Sequence, residues 1–319
     1  MSETNSRYLT IPRELHGQRI DTVLAELIPE YSRSQLSSWL KQGKITVNNS
    51  QLKPKDKVSG GEEIDFAVDL SLENKVEHCE PEDIPLNIVF EDDDILVINK
   101  PAGLVVHPGA GNPNHTLVNA LLFHQPSLQQ LPRAGVIHRL DKDTTGLLVI
   151  GKTLESQTNL VRQMQERTIQ RHYLTLVQGH IISGGEIDTN YGRHPRNRLK
   201  MAVCVHGREA ITHYSLRKQY HYFTLLDVQL LTGRTHQIRV HMAHINHAVV
   251  GDQLYGGRMR YPAGASPELL ETFRQFKRQA LHATSLSLPH PTTNELLTFT
   301  APIPDDFQLL IDSLDNYLE

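Results

Sequence analysis

The sequence predicts an α+β protein with a mixed, largely antiparallel sheet, preceded by a small helix-rich unit at the N-terminus. From Leu86 onward, short apolar runs alternate with Gly and Pro turns and a few helical stretches, without the regular strand–helix repeat of a parallel sheet. Before that, residues 17–70 contain apolar side chains at helical spacing. At 319 residues, the chain exceeds one typical domain. We therefore predict two domains, at 17–70 and 85–319, joined by a linker at 71–84.

Two helices and several short strands are predicted in the N-terminal unit. The first helix begins near Ile20, and its apolar residues keep helical spacing through Leu27. The second begins after Ser32, a residue type that favours helix N-termini, and it ends at Gly43. The β-branched segment Ile45–Val47 follows and predicts the first of the strands. The unit is therefore expected to fold around a small core of its own.

This order of elements resembles the small RNA-binding module that is shared by a small-subunit ribosomal protein, tyrosyl-tRNA synthetases and heat-shock RNA-binding proteins. The resemblance implies that basic side chains in and around the second helix contact RNA phosphates. The candidates in this chain are Arg33, Lys41 and Lys44. The alternative is that these side chains form a solvated face without a nucleic-acid partner.

The acidic residues are concentrated in one band of the chain. Residues 58–99 contain thirteen acidic side chains and the single basic residue Lys75, so the linker predicted at 71–84 is acidic. The formal net charge of −4 therefore hides a surplus of +3 over residues 1–57 and of +5 over residues 100–319. Phosphate binding depends on local basic patches, so the near-neutral total does not exclude a nucleic-acid partner.

Neither a secretion signal nor a membrane span is predicted from the sequence. Residues Met1–Thr10 are polar and lack the apolar centre of a signal peptide. The longest apolar runs, such as Leu147–Ile150, are far shorter than the roughly 20 residues that cross a bilayer. Cys79 and Cys204 lie far apart and form no CxxC pair, which argues against a disulfide framework and a zinc site. We expect a cytoplasmic protein.

Four polar residues interrupt two apolar segments in the middle of the chain. The tetrad His138-Arg139-Leu140-Asp141 lies between Gly135–Ile137 and Leu147–Ile150, both of which have the composition of buried strands. We therefore expect the tetrad at a strand end or bend that borders a cleft. A carboxylate in such a place requires a partner or a function. Taken alone, an aspartate in the setting of Asp141 is more often a turn or cap residue than a nucleophile.

Four segments resemble, in the same order, the motifs of the RluA-type pseudouridine synthases. They are Lys100–Gly109, His138–Asp141, Arg171–Tyr173 and Leu231–His241. Three further segments resemble in particular the family members that act on large-subunit ribosomal RNA, namely Val106–Pro113, Gly192–Pro195 and Arg278–Thr284. The resemblance implies the pseudouridine synthase fold, a mixed and bent sheet split by a central cleft, over residues 85–319.

The resemblance also implies roles for three side chains. Asp141 corresponds to the family's nucleophile, and Arg239 is the partner that neutralises it. Tyr173 should pack on the uracil and is the candidate for assisting removal of the proton from C5. Converting uridine to pseudouridine neither adds nor removes atoms, so no cofactor and no metal are expected. An aspartate is already ionised at neutral pH and needs no activating base.

A uracil stacked in RNA must leave the stack before its sugar bond can be attacked. We expect Arg139 to fill the gap, because its planar guanidinium can stack on bases and also bind phosphate. His138, the neighbouring residue, is a further candidate for substrate binding. The segment 193–200 contains four basic residues and no acidic one, so we predict that it binds the RNA stem. These residues are Arg193, Arg196, Arg198 and Lys200.

By resemblance, the partner is large-subunit rRNA or the pre-ribosomal 50S particle, the target is the loop of helix 69, and the enzyme is a monomer. Family members that modify other rRNA sites or tRNA share the four motifs. A second reading is a hydrolase of N-glycosidic bonds, although Asp143 lies too close in sequence to oppose Asp141. A third is an RNA-binding ribosome-assembly factor without catalysis. The histidines between His236 and His247 are interpreted as core or surface residues, since no carboxylate or cysteine joins them.

Overall fold

The computed structural model describes residues 8–28, 33–66, 79–109, 111–197, 199–257, 259, 261 and 264–318. Two compact units divide the chain between residues 77 and 78. None of the described helices is long and apolar enough to cross a membrane.

The described part of the N-terminal unit combines two helices with a three-stranded antiparallel sheet of order β1-β3-β2. Its elements are β1 (Tyr8–Thr10), α1 (Ile20–Leu27), α2 (Arg33–Lys41), β2 (Ile45–Val47) and β3 (Glu63–Phe66). The apolar residues at helical spacing in α1 and α2 face a common core that includes Val23, Leu24, Leu36 and Trp39. Gly43, with a φ of +72°, lies just beyond the end of α2, as its sequence position predicts. The unit thus buries its own core.

The second unit is built on a single ten-stranded sheet in the described residues. Its strands are β4 (Ile88–Glu91), β5 (Ile95–Lys100), β6 (Thr145–Gly151), β7 (Gln170–Gln178), β8 (Gly185–Arg193), β9 (Met201–Val203), β10 (Arg208–Gln219), β11 (Phe223–Leu230), β12 (Leu281–Pro289) and β13 (Leu296–Thr300). The helices are α3 (Leu117–His124), α4 (Leu154–Gln165), α5 (Gln237–His244), α6 (Pro267–Gln275) and α7 (Asp305–Leu318).

The sheet is mixed and largely antiparallel, which confirms the predicted fold class. The order along the sheet is β4-β5-β6-β12-β7-β11-β10-β8-β9, and β13 pairs with residues 285–289 of β12. Every neighbouring pair is antiparallel except β6 with β12, which run parallel. That parallel contact is short and joins Thr145 to His282 and Gly146 to Ala283. The one change from antiparallel to parallel pairing in the described part of this sheet therefore occurs at β6, the strand that follows the polar tetrad.

Gly146 allows β6 and β12 to meet closely at this parallel contact. Its φ is +111°, and a Cβ atom there would lie 2.2 Å from the carbonyl oxygen of Ala283. Beside it, Thr145 Oγ1 and His282 Nδ1 are 2.8 Å apart in a buried hydrogen bond. A larger residue than glycine would force the two strands apart. The start of β6, and the turn before it, are thereby held against β12.

One detail of the prediction differs from the structure. Gly135–Ile137, predicted as strand, forms only an isolated bridge between Val136 and Ile150. Positive φ at Arg133, Ala134 and Gly135 prevents the backbone from extending there. The second compact unit begins at residue 78. Residues 71–78 lie outside the described part of the chain.

A buried histidine fixes α5 to the sheet. His241 is fully buried, and its two ring nitrogens lie 2.8 Å from Thr212 Oγ1 and 3.0 Å from Thr189 Oγ1. Burial lowers the pKa of His241 from its ordinary 6.5 to about 4, and the nearby His244 adds to this effect. A neutral imidazole fits this site, because one nitrogen donates to a hydroxyl and the other accepts from a hydroxyl.

We expect the free energy of unfolding to fall as the pH drops from about 6.5 to about 4. In that range the unfolded chain protonates His241 while the folded protein keeps it neutral, so the unfolded state binds more protons. The loss attributable to this residue is at most about 3 kcal/mol. Denaturant titrations at several pH values should give a shallower dependence for His241→Gln. The variant His206→Gln, at an exposed histidine in the loop between β9 and β10, should keep the wild-type dependence; equal slopes in all three proteins would contradict the assignment.

Candidate active site

Asp141 lies in a tight turn that leads into β6. The N–H of Thr144 donates to the Asp141 carbonyl oxygen at 3.1 Å, which closes the turn. Lys100, a fully buried residue at the end of β5, holds this turn in place. Its Nζ donates to the carbonyl oxygens of Pro101, Leu104 and Lys142 at 2.7, 2.9 and 2.9 Å. The ammonium group therefore connects backbone carbonyl groups of the first motif with that of Lys142, the residue directly after the second motif.

Burial lowers the pKa of Lys100 to about 7, and the nearby Asp143 and Asp141 oppose that shift. All three of its partners are carbonyl oxygens, which can only accept hydrogen bonds. An ammonium group supplies three N–H donors, whereas a neutral amine supplies two. The observed geometry is therefore that of the protonated form.

Arg239 joins Asp141 to a second carboxylate. From α5, its Nη1 donates to Asp141 Oδ2 at 2.9 Å. Its Nε and Nη2 donate to the two oxygens of Asp252 at 2.6 and 2.9 Å, which is the bidentate geometry that arginine favours. Asp252 Oδ1 also accepts the backbone N–H groups of Leu254 and Tyr255 at 2.8 and 2.9 Å. The contacts with Asp252 thus fix the plane of the guanidinium group independently of Asp141.

The electrostatics of this ionic cluster follow from burial and pairing. Burial alone would raise the pKa of Asp252, but the hydrogen bonds and charge of Arg239 hold that pKa below its usual range. Burial alone would lower the pKa of Arg239, but its bonds to Asp252 and Asp141 raise it instead. The three side chains carry a formal net charge of −1. Asp141 is the member nearest to solvent, since its side chain is 15% exposed and that of Asp252 is 0% exposed.

A pocket opens beside Asp141. Tyr173 reaches it from β7 and is buried, and Arg139 reaches it from the tetrad and is exposed at the rim. The remaining lining residues come from the turn before β6, from β11 and β12, and from the start of α5 and the segment before it, and they are Leu140, Thr144, Leu230, Arg234, His236, Gln237, Ile238 and Leu281, beside Arg239 itself. Burial raises the pKa of Tyr173, and the neighbouring Arg171 opposes this rise. The structure thus brings Asp141, Arg239, Tyr173 and Arg139 to one pocket.

His236 is a pocket residue that the sequence analysis did not single out as functional. Its Nε2 lies 3.8 Å from Asp141 Oδ1, beyond hydrogen-bond distance. Its Nδ1 is 2.9 Å from the hydroxyl of Tyr255, which also accepts the backbone N–H of Met201 at 2.9 Å. The Tyr255 ring in turn lies against the guanidinium of Arg239, at 5.2 Å from its centroid.

His138 contacts the sheet rather than the pocket. Its Nε2 accepts the backbone N–H of Val149 in β6 at 3.3 Å, and its Nδ1 is buried without a hydrogen-bond partner. Burial lowers the pKa of His138 to about 3, so the ring is neutral near pH 7. This contact fixes the first residue of the tetrad to β6.

The basic segment 193–200 connects β8 to β9 and is ordered around one side chain. The ring of His194 accepts the backbone N–H groups of Arg196 and Asn197 at 3.2 Å each. Arg193 and Arg196 are exposed, and Lys200 is half-buried with its Nζ 5.8 Å from the centroid of the Tyr255 ring. Arg198 lies outside the described residues. The last residue of the basic segment therefore lies against Tyr255, whose hydroxyl contacts the pocket residue His236.

In the N-terminal unit, the three candidate phosphate ligands differ in their surroundings. Arg33 Nη2 contacts Asp21 Oδ1 at 2.9 Å while about half of its side chain remains exposed. Lys41 is exposed at the end of α2, and Lys44 is half-buried just before β2. All three lie on or beside one helix, as the sequence indicates.

Sequence analysis missed Asp252 and gave no role to Lys100. A signal for Asp252 was present, because the apolar run Ala248–Val250 ends in Gly251 and then this carboxylate, much as Asp141 follows an apolar segment. Lys100 stands at the end of the apolar strand β5, which places its ammonium group at the edge of the core. Its contact with the carbonyl oxygen of Lys142 joins residues 42 positions apart and could not be deduced from spacing.

Comparison with known proteins identifies the family. A family model described as RNA pseudouridylate synthase matches residues 94–244, and an S4 domain model matches residues 18–64. A ribosomal large subunit pseudouridine synthase D of Xanthomonas campestris is 51% identical over 98% of this chain and 93% of its own length. The chain belongs to the RNA pseudouridylate synthase family. A Haemophilus influenzae protein of the same name is 53% identical over 96% of this chain and 94% of its own length.

Solved structures of the family share the fold. The human RNA pseudouridylate synthase domain containing 4 superposes with a TM-score of 0.57 and 24% identity, over 72% of this chain and 93% of that one. The human RNA pseudouridylate synthase domain containing 1 gives a TM-score of 0.52 and 26% identity, over 68% and 83%. The protein is therefore an isomerase that makes pseudouridine in RNA. Within the described residues, no three His, Cys, Asp or Glu side chains are grouped to hold a metal ion.

We expect Asp252→Asn to lower the rate of pseudouridine formation by at least about tenfold. An amide presents an NH₂ group to one of the two Arg239 donors, so the guanidinium loses its fixed orientation toward Asp141. Single-turnover assays at saturating RNA measure this effect. Asp306→Asn is the matched control, because Asp306 forms the same bidentate contact with Arg278, at 2.6 and 2.7 Å, outside the pocket lining. Equal losses in both variants would contradict a specific role for Asp252.

Proposed function

We propose that Asp141 is the nucleophile, Arg239 its neutralising partner, and Tyr173 the residue that packs on the detached uracil. The observation that carries this proposal is the 2.9 Å ion pair between Asp141 and Arg239 at a pocket that Tyr173 also lines. Both partners of this pair are largely buried, since the Asp141 side chain is 15% exposed and that of Arg239 is 8% exposed. Such a pair orients a reacting group more than it stabilises the fold, because desolvation offsets much of its attraction.

The chemistry uses these groups in sequence. The bond between N1 of the uracil and the sugar breaks, the uracil turns within the pocket, and C5 forms a bond with the same sugar carbon. The proton on C5 is then removed and N1 takes up a proton, so the product has the same atoms as the substrate. Tyr173 assists the removal in our proposal, because it lines the same pocket as Asp141. No added group is needed to balance the reaction, so no cofactor is required.

We infer that the substrate is large-subunit rRNA. Two relatives that align with almost the whole chain are named ribosomal large subunit pseudouridine synthase D. Helix 69 and its loop are the proposed target, presented either as free rRNA or in a pre-ribosomal 50S particle in the cytoplasm. The S4 domain and the basic residues Arg193, Arg196, Arg198 and Lys200 supply the phosphate contacts that position the RNA. Arg33, Lys41 and Lys44 contribute to the same function, and the enzyme acts as a monomer.

Arg139 is proposed to take the place of the target base when the base leaves the RNA stack. It is exposed at the rim of the pocket, two residues before the proposed nucleophile. Its planar guanidinium can stack where the base was and bind a phosphate at the same time. His138 precedes it and, through its bond to the Val149 backbone, positions this segment against β6 for substrate binding.

We expect Asp141→Asn to fold normally and to lose activity, because an amide cannot act as a nucleophile toward the nucleoside. The assay is release of tritium from C5-labelled rRNA, followed by mapping of the modified positions. Asp143→Asn, a carboxylate in the same turn that does not line the pocket, should retain activity. Turnover by Asp141→Asn would remove it as nucleophile. Free uracil in place of pseudouridine would indicate an N-glycoside hydrolase, and pseudouridine outside the loop of helix 69 would contradict the proposed target.

We expect Arg139→Ala to bind RNA with nearly unchanged affinity but to fail in base flipping. The affinity is retained because phosphate contacts elsewhere supply most of the binding free energy. A fluorescent purine next to the target uridine reports unstacking, so wild-type enzyme should increase its fluorescence and Arg139→Ala should not. Arg162→Ala, an exposed arginine on α4, controls for the loss of one positive charge. A normal fluorescence change with Arg139→Ala would contradict its role.

A further inference from the structure

His236 has an unusual backbone conformation for a residue other than glycine. Its φ is +60°, in the left-handed region that glycine and asparagine adopt most readily. It occupies the N-cap position of α5, yet its side chain makes no capping hydrogen bond to the helix. His236 therefore adopts a strained backbone conformation although its side chain does not cap the helix, which is the usual role of a polar side chain at this position.

The side chain points instead into the pocket that contains Asp141. Its ring is half-buried, and its Nε2 lies 3.8 Å from Asp141 Oδ1, which is too far for a hydrogen bond. Among the described residues, that nitrogen has no hydrogen-bond acceptor within reach. Nε2 therefore faces the space that a bound nucleoside would occupy next to the proposed nucleophile.

The hydroxyl of Tyr255 lies where it can favour one tautomer of His236. This hydroxyl accepts the backbone N–H of Met201 and lies 2.9 Å from His236 Nδ1. Burial raises the pKa of Tyr255, so the phenol keeps its hydrogen and can donate a hydrogen bond to Nδ1. Burial also lowers the pKa of His236, with Arg239 and Arg139 adding to the effect and Asp141 and Asp252 opposing it. When the phenol donates to Nδ1, the neutral imidazole carries its hydrogen on Nε2.

We propose that His236 donates its Nε2–H to the uracil carbonyl oxygen that flanks the reacting bond. This inference rests on the proposed role of Asp141, since it places the reacting sugar carbon and N1 beside that carboxylate. When the bond breaks, the uracil leaves with the bonding electron pair, and negative charge spreads over N1 and the carbonyl oxygens. A fixed N–H donor at that point stabilises the charge as it develops.

The same donor serves both halves of the reaction. Turning uracil by half a revolution about the axis through N3 and C6 exchanges N1 with C5 and O2 with O4. A donor that contacts O2 before the turn therefore contacts O4 after it, when C5 faces the sugar. The hydrogen of His236 is shared and never transferred, so the proton and electron balance of the isomerisation is unchanged. His236 would thus also select a base with carbonyl groups at both positions.

Substrates that carry sulfur in place of one carbonyl oxygen test this proposal. The RNA is a stem on which wild-type enzyme forms pseudouridine, with 2-thiouridine or 4-thiouridine at the target position. We expect His236→Met to lower the single-turnover rate on normal RNA by about ten- to hundredfold, with little change in RNA affinity. Sulfur is a weaker acceptor, so wild-type enzyme should slow by up to about tenfold with a thio substrate, and His236→Met should show no such further loss.

Controls separate a donor from a structural role. His236→Gln retains an N–H donor and should recover part of the rate. Tyr255→Phe should lose part of the rate, because without the hydroxyl the hydrogen of His236 can move from Nε2 to Nδ1. His244→Met, exposed on the same helix, should behave as wild type with every substrate. Equal thio effects in wild type and His236→Met, for both sulfur positions, would overturn the proposal even if His236→Met is slow. Wild-type enzyme that is inactive on helix 69 but active on another RNA contradicts the proposed target, and the thio comparison is then made on that other RNA.

Discussion

The active pocket depends on one buried arginine held between two carboxylates. Arg239 contacts Asp252 through two hydrogen bonds and Asp141 through one. Moving such charges out of water costs several kcal/mol per ion, and their mutual attraction offsets that cost only when the geometry is good. The cluster therefore contributes little to folding stability. Its consequence is that Arg239 holds Asp141 in one orientation next to the pocket.

This requirement explains the arrangement of the surrounding elements. Asp141 and Arg239 are 98 residues apart, so the turn before β6 and helix α5 must both be fixed independently. Lys100 and the close approach of Gly146 to Ala283 fix the turn. His241 fixes α5 through Thr189 and Thr212. The supporting residues lie in the core, where neighbouring side chains leave them one conformation.

The residues around the pocket differ in their electrostatic surroundings. Burial alone would lower the pKa of Arg239, but its bonds to Asp252 and Asp141 raise it. Burial raises the pKa of Tyr173 and lowers the pKa of His236, so an uncharged phenol and an uncharged imidazole lie beside the ion pair. The basic segment 193–200 ends at Lys200, whose ammonium group lies over the Tyr255 ring, and the Tyr255 hydroxyl contacts His236.

The sequence by itself determined the fold class, the family and several of the residues that meet at the pocket. Apolar periodicity is a local property, so helices such as α1 and α2 and the largely antiparallel sheet could be predicted from it. The four motifs identified Asp141, Tyr173 and Arg239 because their residue types recur at fixed positions within short segments. Tertiary structure alone decided the partners that reach these motifs from elsewhere. Asp252, Lys100 and the Tyr255 hydroxyl act through contacts between distant segments, and spacing along the chain contains no information about which buried groups meet across a core.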